Sequence, residues 1–500
     1  MNTMMKKNLL ILLILMITQV LCSNICAQSD PPLRIELPTA QDADDYHFSL
    51  MGKNGVMVFY EGLQLNNDST EWVMMHYDTN LQKQYAYNIY LSPKAAFRQS
   101  YYENGKIYLL YQDVVGKKES PKTYISVVDI KGKKADLHVL ENITKFEIAN
   151  LKAIDGYTVF SIIVDNSYLI YFYNTKTKNL HQFVVPDAAI ISEQFIETDT
   201  LNHKMLLGLG LLYSSKVAMM TVFETNYDGQ LLKAVQLPVY EDYYYNTARY
   251  KQIDSSHALI MGTYKLANSR KSGFYHSGVY TLAYDNSVMG YPEFYNYTNL
   301  HKKDTLKNGK VKEQSIDLQL LVGDIISNDS CYTLITEVYY PEYNYTSGYY
   351  DNSSYYYGGT YNPPQTTFLG YRYVNAYVTC FDKKGELLWD NYFPFSNILT
   401  RRLARRVSIY YAPFGTAIFY PYNSNLSYCL INGYETIEST ETIPIECLYK
   451  KDMVEYSRDL NMYNWYDNKF IISGYQQIIN NSKSAKGKRY VFFMNKLEYR

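Results

Sequence analysis

Apolar and polar side chains alternate with a period of two along most of the chain, and outside residues 1–27 no long segment carries a helical period. The alternation is clearest in Asp382 to Pro394, DKKGELLWDNYFP. Asp382 and Gly385 bracket a tight reversal, since a short carboxylate accepts from its own backbone two residues on and glycine accepts positive φ. Leu387, Trp389 and Phe393 then alternate with Leu388, Asp390 and Tyr392, as in a strand with one better-buried face. Pro394 has no N–H to give to a ladder and is expected to end the strand.

The same frame returns at Asn226 to Pro238 (NYDGQLLKAVQLP), Asn174 to Pro186 and Asn432 to Pro444, each turn residue preceding its proline by the same interval. Looser copies start at Asp78, Asp129 and Asp285. Upstream of each turn lies a hairpin: Val56 to Tyr60 before Trp72 to Tyr77, Lys106 to Gln112 before Thr123 to Val128, and Tyr157 to Val164 before Tyr168 to Tyr173. Lys204 to Leu211 before Lys216 to Thr225 and Ala258 to Tyr264 before Gly278 to Tyr284 follow. The last three are Cys331 to Val338 before Tyr373 to Phe381, Thr416 to Tyr420 before Leu426 to Ile431, and Lys469 to Gln476 before Arg489 to Met494.

Between units sits another short strand ending in a turn such as Glu103-Asn104-Gly105, Asp155-Gly156 or Asp254-Ser255-Ser256. Four strands per unit, recurring about every 55–60 residues, predict an all-β fold of the β-propeller type, because a blade buries its faces only against its neighbours. The expectation is eight blades, with seven as the second choice and two stacked β-sandwich domains as the competing architecture. The last repeat runs out at Tyr499-Arg500 after its third strand, and Leu33 to Pro38 (LRIELP) resembles the fourth-strand sequence at Leu231 to Pro238. Pairing the N-terminal strand into the last blade would leave no open edge.

Met1 to Ala27 has the form of an export signal: Lys6 and Lys7, an apolar run from Leu9 to Leu21, then Ile25-Cys26-Ala27. An uncleaved membrane anchor is the alternative. Neither Cys22 nor Cys26 follows a small residue, which argues against a lipid anchor. Residues 28–500 are then a single propeller domain without a second hydrophobic span, exported and resident in the periplasm or outer envelope. A composition of 47% hydrophobic and 19% charged residues with a net charge of −1 excludes disorder and argues against nucleic acid held by bulk charge. The 57 tyrosines suit half-buried pleated positions with one wet side.

The longest interruption of the repeat, residues 339–372, is nearly devoid of apolar residues other than tyrosine. Tyrosine with serine, glycine and asparagine is the mixture of recognition loops. Tyr345, Tyr349, Tyr350, Tyr355, Tyr356, Tyr357 and Tyr361 are therefore candidate binding platforms, a self-packed insertion being the alternative. In a propeller this loop shares its rim with residues 265–277, 298–314 and 477–488. These carry His301, Lys302, Lys303, Lys307, Lys310 and Lys312, and Lys483, Lys486 and Lys488. Basic groups beside aromatic rings suit an acidic glycan or partner; ordinary solvated loops are the alternative. Arg98, Glu147, Glu193, Arg249, Asp317, Arg406 and Arg458 stand at comparable places on inner strands, either lining a channel or pairing across blade junctions.

A register pairing residue 338 with 373 would set Cys331 opposite Cys380, where export permits a disulfide; buried free thiols are the alternative. No histidines fall at metal-ligand spacing, and no zinc-ribbon cysteines, nucleophile elbow, P-loop or H-E-x-x-H is present. No cofactor is implied.

The segment Thr379 to Pro394, TCFDKKGELLWDNYFP, resembles the repeat of quinoprotein-type propellers, a family that includes eight-bladed dehydrogenases and a non-enzymatic outer-membrane assembly scaffold. Its tryptophan, Trp389, stands in one repeat; His181, Lys233 and Ser439 occupy the position in the others. The resemblance implies architecture, and nothing corresponds to the quinone and calcium ligands of the enzymes. More broadly the chain resembles uncharacterised exported propeller-like proteins of Gram-negative bacteria, which share the segments Gly262 to Tyr264 (GTY) and Leu387 to Asn391 (LLWDN). Two functional classes follow: a non-catalytic, monomeric binding or scaffold protein of the envelope that engages a protein or glycan, or a glycan- or peptide-directed hydrolase or lyase at the channel mouth.

Overall fold

A computed structural model describes residues 33–41, 43–65, 68–116, 119–146, 149–213, 218–266, 278–296, 319–346, 349–351, 360–362, 365–480 and 487–499. The fold is all-β and of the propeller type: antiparallel sheets, each a meander of neighbouring strands, follow one another along the chain. The first sheet runs Tyr46–Leu50, Val56–Gln64, Thr70–Tyr77 and Lys83–Leu91 from its inner to its outer strand. The second (Ala95–Glu103 to Lys134–Leu140), third (Ala149–Ile154 to Leu180–Phe183) and fourth (Ala188–Asp199 to Leu231–Gln236) repeat that order. So does the seventh (Ser408–Ala412 to Glu435–Pro444).

In the fifth sheet the inner position is shared by Tyr243–Tyr245 and Arg249–Gln252, both paired with His257–Leu266. The chain kinks at Thr247, whose carbonyl oxygen would lie 1.9 Å from a Cβ at residue 262. Gly262 of the GTY segment is there because no other residue leaves room. The sixth sheet is built on the long strands Tyr332–Thr346, Gln365–Phe381 and Leu387–Thr400. The eighth holds Asp452–Tyr466, Lys469–Asn480 and Gly487–Glu498, and its fourth strand is Arg34–Pro38, with Ile35 opposite Met494 and Glu36 opposite Phe493.

The central strands are apolar on both faces, and each face enters a different cluster. Leu109 and Leu110 are both fully buried; Leu109 packs with Phe59 and Trp72 of the first sheet, and Leu110 with Phe160 and Ile162 of the third. The same alternation joins the third sheet to the fourth through Phe172 and Leu207, the fourth to the fifth through Val222 and Ile260, and the fifth to the sixth through Met261 and Leu334. Further junctions run through Val378 and Ile418, Phe419 and Phe470, and, between the eighth sheet and the first, Phe492 and Val58. Each fully buried side chain contributes roughly 1.5–3 kcal/mol, so the junctions and not the isolated sheets carry stability.

The repeated turns form as expected. Asp78, Asn174, Asn226 and Asp382 each accept, through Oδ1, from the backbone N–H two residues on. Gly229 and Gly385 take φ of 85° and 90°. The tryptophan position of the repeat acts as a latch onto the next sheet. Trp389 packs on Gly433, His181 stands so close to Gly229 that a Cβ there would meet its ring at 3.0 Å, and Lys233 Nζ donates to Ser287 O at 2.6 Å.

Three expectations need correction. Pro394 lies inside Leu387–Thr400, opposite Asn375 and beside a register shift; the strand is outermost, so the missing N–H faces away from the ladder. Residues 339–372 are largely not a loop, since Tyr332–Thr346 and Gln365–Phe381 stay paired to Thr346 and Gln365 and a two-stranded ladder, Tyr349–Asp351 with Thr360–Asn362, follows. Bulges at Val338/Tyr339 and Glu342/Tyr343 displace the register, so Val338 faces Asn375 and Cys380 faces Thr333. Cys331 and Cys380 are thus diagonal neighbours, buried and unbridged, and their thiols are hydrogen-bonded to each other.

Candidate functional site

The sixth-sheet hairpin projects as an arm that carries aromatic rings. Tyr343 and Phe368 are cross-strand partners with ring centroids 5.5 Å apart, and Phe368 packs edge-on to Tyr371 at 5.2 Å. Tyr345 continues the row and is 74% exposed. At the base, the short Arg372–Glu342 ion pair fixes the arm across its two strands. The arm's outer neighbour is the end of Leu387–Thr400, after which the chain continues through exposed Arg401 and Arg402. Arg402 donates to Asp44 Oδ2 at 2.5 Å. Cationic and aromatic groups therefore stand together on this rim.

Of the binding residues inferred from sequence, Tyr345 lies on the arm, and Tyr349, Tyr350 and Tyr361 lie in the two-stranded ladder, Tyr350 opposite Tyr361. Tyr355, Tyr356, Tyr357, His301, Lys302, Lys303, Lys307, Lys310, Lys312, Lys483 and Lys486 lie outside the described residues, as do the export segment, Glu147 and Asp317. Lys488 pairs with Glu455 at 3.5 Å.

The other inner-strand ions pair across sheet junctions. Glu193 accepts from Asn150 at 2.6 Å and from Ser161 of the third sheet. Arg249 donates to Gln194 O at 2.6 Å and Val322 O at 3.0 Å, joining the fourth, fifth and sixth sheets. Arg458 is bound by Asp44 and Asp459, and Arg98 lies over the Phe146 ring. Arg406 gives its backbone N–H to Glu337 and its guanidinium to Leu460 O. Glu337 is 1% exposed and accepts from Arg406 N at 2.8 Å and Val407 N at 2.9 Å. Burial pushes its proton affinity up to about 7, although those two N–H groups and the guanidinium of Arg406 work the other way.

A second group of ions converges between the inner strands and was not foreseen from sequence. Lys152 of the third sheet pairs with Glu197 of the fourth at 3.2 Å and lies 5.3 Å from the Tyr101 ring of the second. Arg405, ahead of the seventh sheet, pairs with Asp324 of the sixth at 2.7 Å. Burial raises the Glu197 carboxyl despite Lys152; burial would raise Asp324 too, but Arg405, with Arg249 and Lys152 further off, brings it below the usual carboxylate range. Beside this group lies an open cavity of about 380 Å³ whose walls come from the first, sixth, seventh and eighth sheets. Lys152 and Glu197 are single members of inner strands, Asp324 and Arg405 lie in the connections beside such strands, and only the ordering of sheets makes the four neighbours. Among the described residues, no group of three His, Cys, Asp or Glu side chains stands close enough to hold a metal ion, and no helix is long and apolar enough to cross a membrane.

The class the fold defines is the β-propeller. No protein-family model matches the chain, and no curated protein does. Among solved structures it is similar to the β-propeller domain of the Trilobed protease from Pyrococcus furiosus, with 9% identity over 77% of this chain and 93% of that one and a TM-score of 0.34. It is also similar to the polysaccharide lyase Uly1 (8% identity, 80% and 89% covered, TM-score 0.39) and to the dihydro-heme d1 dehydrogenase NirN (11%, 95% and 80%, TM-score 0.39). Likeness this low does not bear on what the site does.

Proposed function

We propose that the chain is a non-catalytic binding or scaffold protein of the bacterial envelope that engages a protein or glycan through the aromatic arm of an eight-bladed propeller. What supports the ring is the series of eight sheets of four or more strands among the described residues, joined pairwise by apolar clusters up to and including the eighth and first. The ladder of Arg34–Pro38 with Gly487–Glu498 supports closure. Export rests on the pattern of Met1 to Ala27, and residues 28–500 form one domain in this reading.

The observation that carries the binding function is the exposed row Tyr345, Tyr343 and Phe368 on a rigid paired hairpin. Rings held by a ladder lose little entropy on binding and stack on sugar faces or fill protein pockets. The test compares the full chain with the triple variant Tyr343→Ala, Tyr345→Ala, Phe368→Ala, on a glycan array and by cross-linking in envelope extract. Loss of the ligands retained by wild type, by about tenfold or more, is expected from aromatic anchors; an unchanged ligand set refutes the reading.

One observation favours a second reading, a hydrolase or lyase at the channel mouth: Glu197 and Asp324 sit in one ionic group with proton affinities pushed apart, as acid and base roles require. Turnover of an oligosaccharide or peptide library that Glu197→Gln abolishes would establish it, and absence of turnover by wild type would refute it.

A further inference from the structure

The lining of the cavity between the inner strands mixes charged and apolar groups. Asp324 and Arg405 contribute heads joined by a single contact from Nη1 to Oδ2 at 2.7 Å, with side chains 70% and 50% accessible. Leu50, Ile326, Ile335, Val407 and Met462 contribute apolar surface. A volume of about 380 Å³ lies within the range of small-molecule pockets, roughly 300–1,000 Å³, which pair an apolar lining with a few polar groups that fix orientation.

The single contact leaves Asp324 Oδ1 and most of the Arg405 fork, which has five N–H donors, without a further partner among the described residues. A simple carboxylic acid placed here would gain Arg405 and meet repulsion from Asp324; a simple amine would meet the reverse. A ligand that carries an ammonium and a carboxylate on one carbon satisfies both heads at once, and the apolar part of the lining asks for a hydrocarbon body. We propose that this cavity binds an apolar α-amino acid of the leucine type, with its carboxylate on Arg405, its ammonium on Asp324 and its side chain against Leu50, Ile335 and Met462.

The site is independent of the aromatic arm. Isothermal titration of the full chain with L-leucine, 4-methylpentanoate, which lacks the ammonium, and 3-methylbutylamine, which lacks the carboxylate, reads the requirement directly. L-leucine is expected to bind about tenfold or more tightly than either analogue, as loss of one charge-assisted hydrogen-bonding head predicts. Arg405→Gln and Asp324→Asn should each weaken L-leucine by a similar factor with an unchanged melting temperature, while the triple arm variant binds L-leucine as wild type does. No heat with L-leucine, or equal affinity for 4-methylpentanoate, overturns the proposal. Should either variant fail to fold, the comparison of the three ligands on wild type still decides.

Discussion

Glu337 makes the junction between the sixth and seventh sheets a pH-dependent element. Its carboxyl is 1% exposed, and Oε1 accepts from the backbone N–H of both Arg406 and Val407. Burial lifts its proton affinity from 4.5 to about 7 in the folded chain. Between those values the folded protein keeps a proton that the unfolded chain has released. The stabilisation this represents is complete below about pH 4.5 and is lost as pH rises toward 7. At 1.36 kcal/mol for each unit, the loss amounts to about 3 kcal/mol, as an order of magnitude. Glu337→Gln keeps a carbonyl oxygen for both N–H groups and carries no charge to desolvate. Urea unfolding at a series of pH values between 5 and 8.5 should therefore find the variant close to wild type at pH 5 and more stable, by about 1–3 kcal/mol, at pH 8.5. A variant weakened equally at every pH, or weakened most at pH 8.5, would mean that the carboxylate form is the one the fold wants and that the reasoning is wrong.

The Arg34 guanidinium binds Glu36 at 2.8 Å, Asn495 at 2.9 Å and Gln476 at 2.7 Å; Arg34→Ala should cost about 3–5 kcal/mol and speed hydrogen exchange in Gly487–Glu498, and protected exchange there would count against the seam. Trp389→Ala, which removes the latch on Gly433, is expected to lower stability by about 2 kcal/mol in urea titration. Gly385→Ala forces φ of 90° on alanine against Thr281 at 3.1 Å, whereas Gly105→Ala at φ 84° meets nothing within 4 Å. Both should lose roughly 1–2 kcal/mol from φ alone, with an excess at residue 385 only. The hydrogen bond from Cys380 holds the Cys331 thiol below its usual range, so the pH midpoint for alkylation of Cys331 should move upward in Cys380→Ala.

What the sequence disclosed and what it concealed divide along one physical line. The turn carboxylates, the positive-φ glycines and the strands of the hairpins are local, and a side chain that accepts from its own backbone two residues on leaves a mark at a fixed spacing. Register is less local: the bulges at Val338 and Glu342 are small shifts with no composition of their own, and they carried Cys380 from Cys331 to Thr333. The tyrosines of residues 339–372 misled in another way, because tyrosine suits both a recognition loop and an exposed strand, and here the ladder continues beneath the rings. The cluster of Lys152, Glu197, Asp324 and Arg405 is wholly non-local, two members on inner strands and two in the connections beside them, each unremarkable in its own segment. Because a propeller assembles its central surface from one inner strand per sheet, neighbours there lie dozens of residues apart in the chain, and no spacing rule can join them. The residues that carry a propeller's stability are therefore legible early, while those that meet at its axis become visible only once the order of the sheets is known.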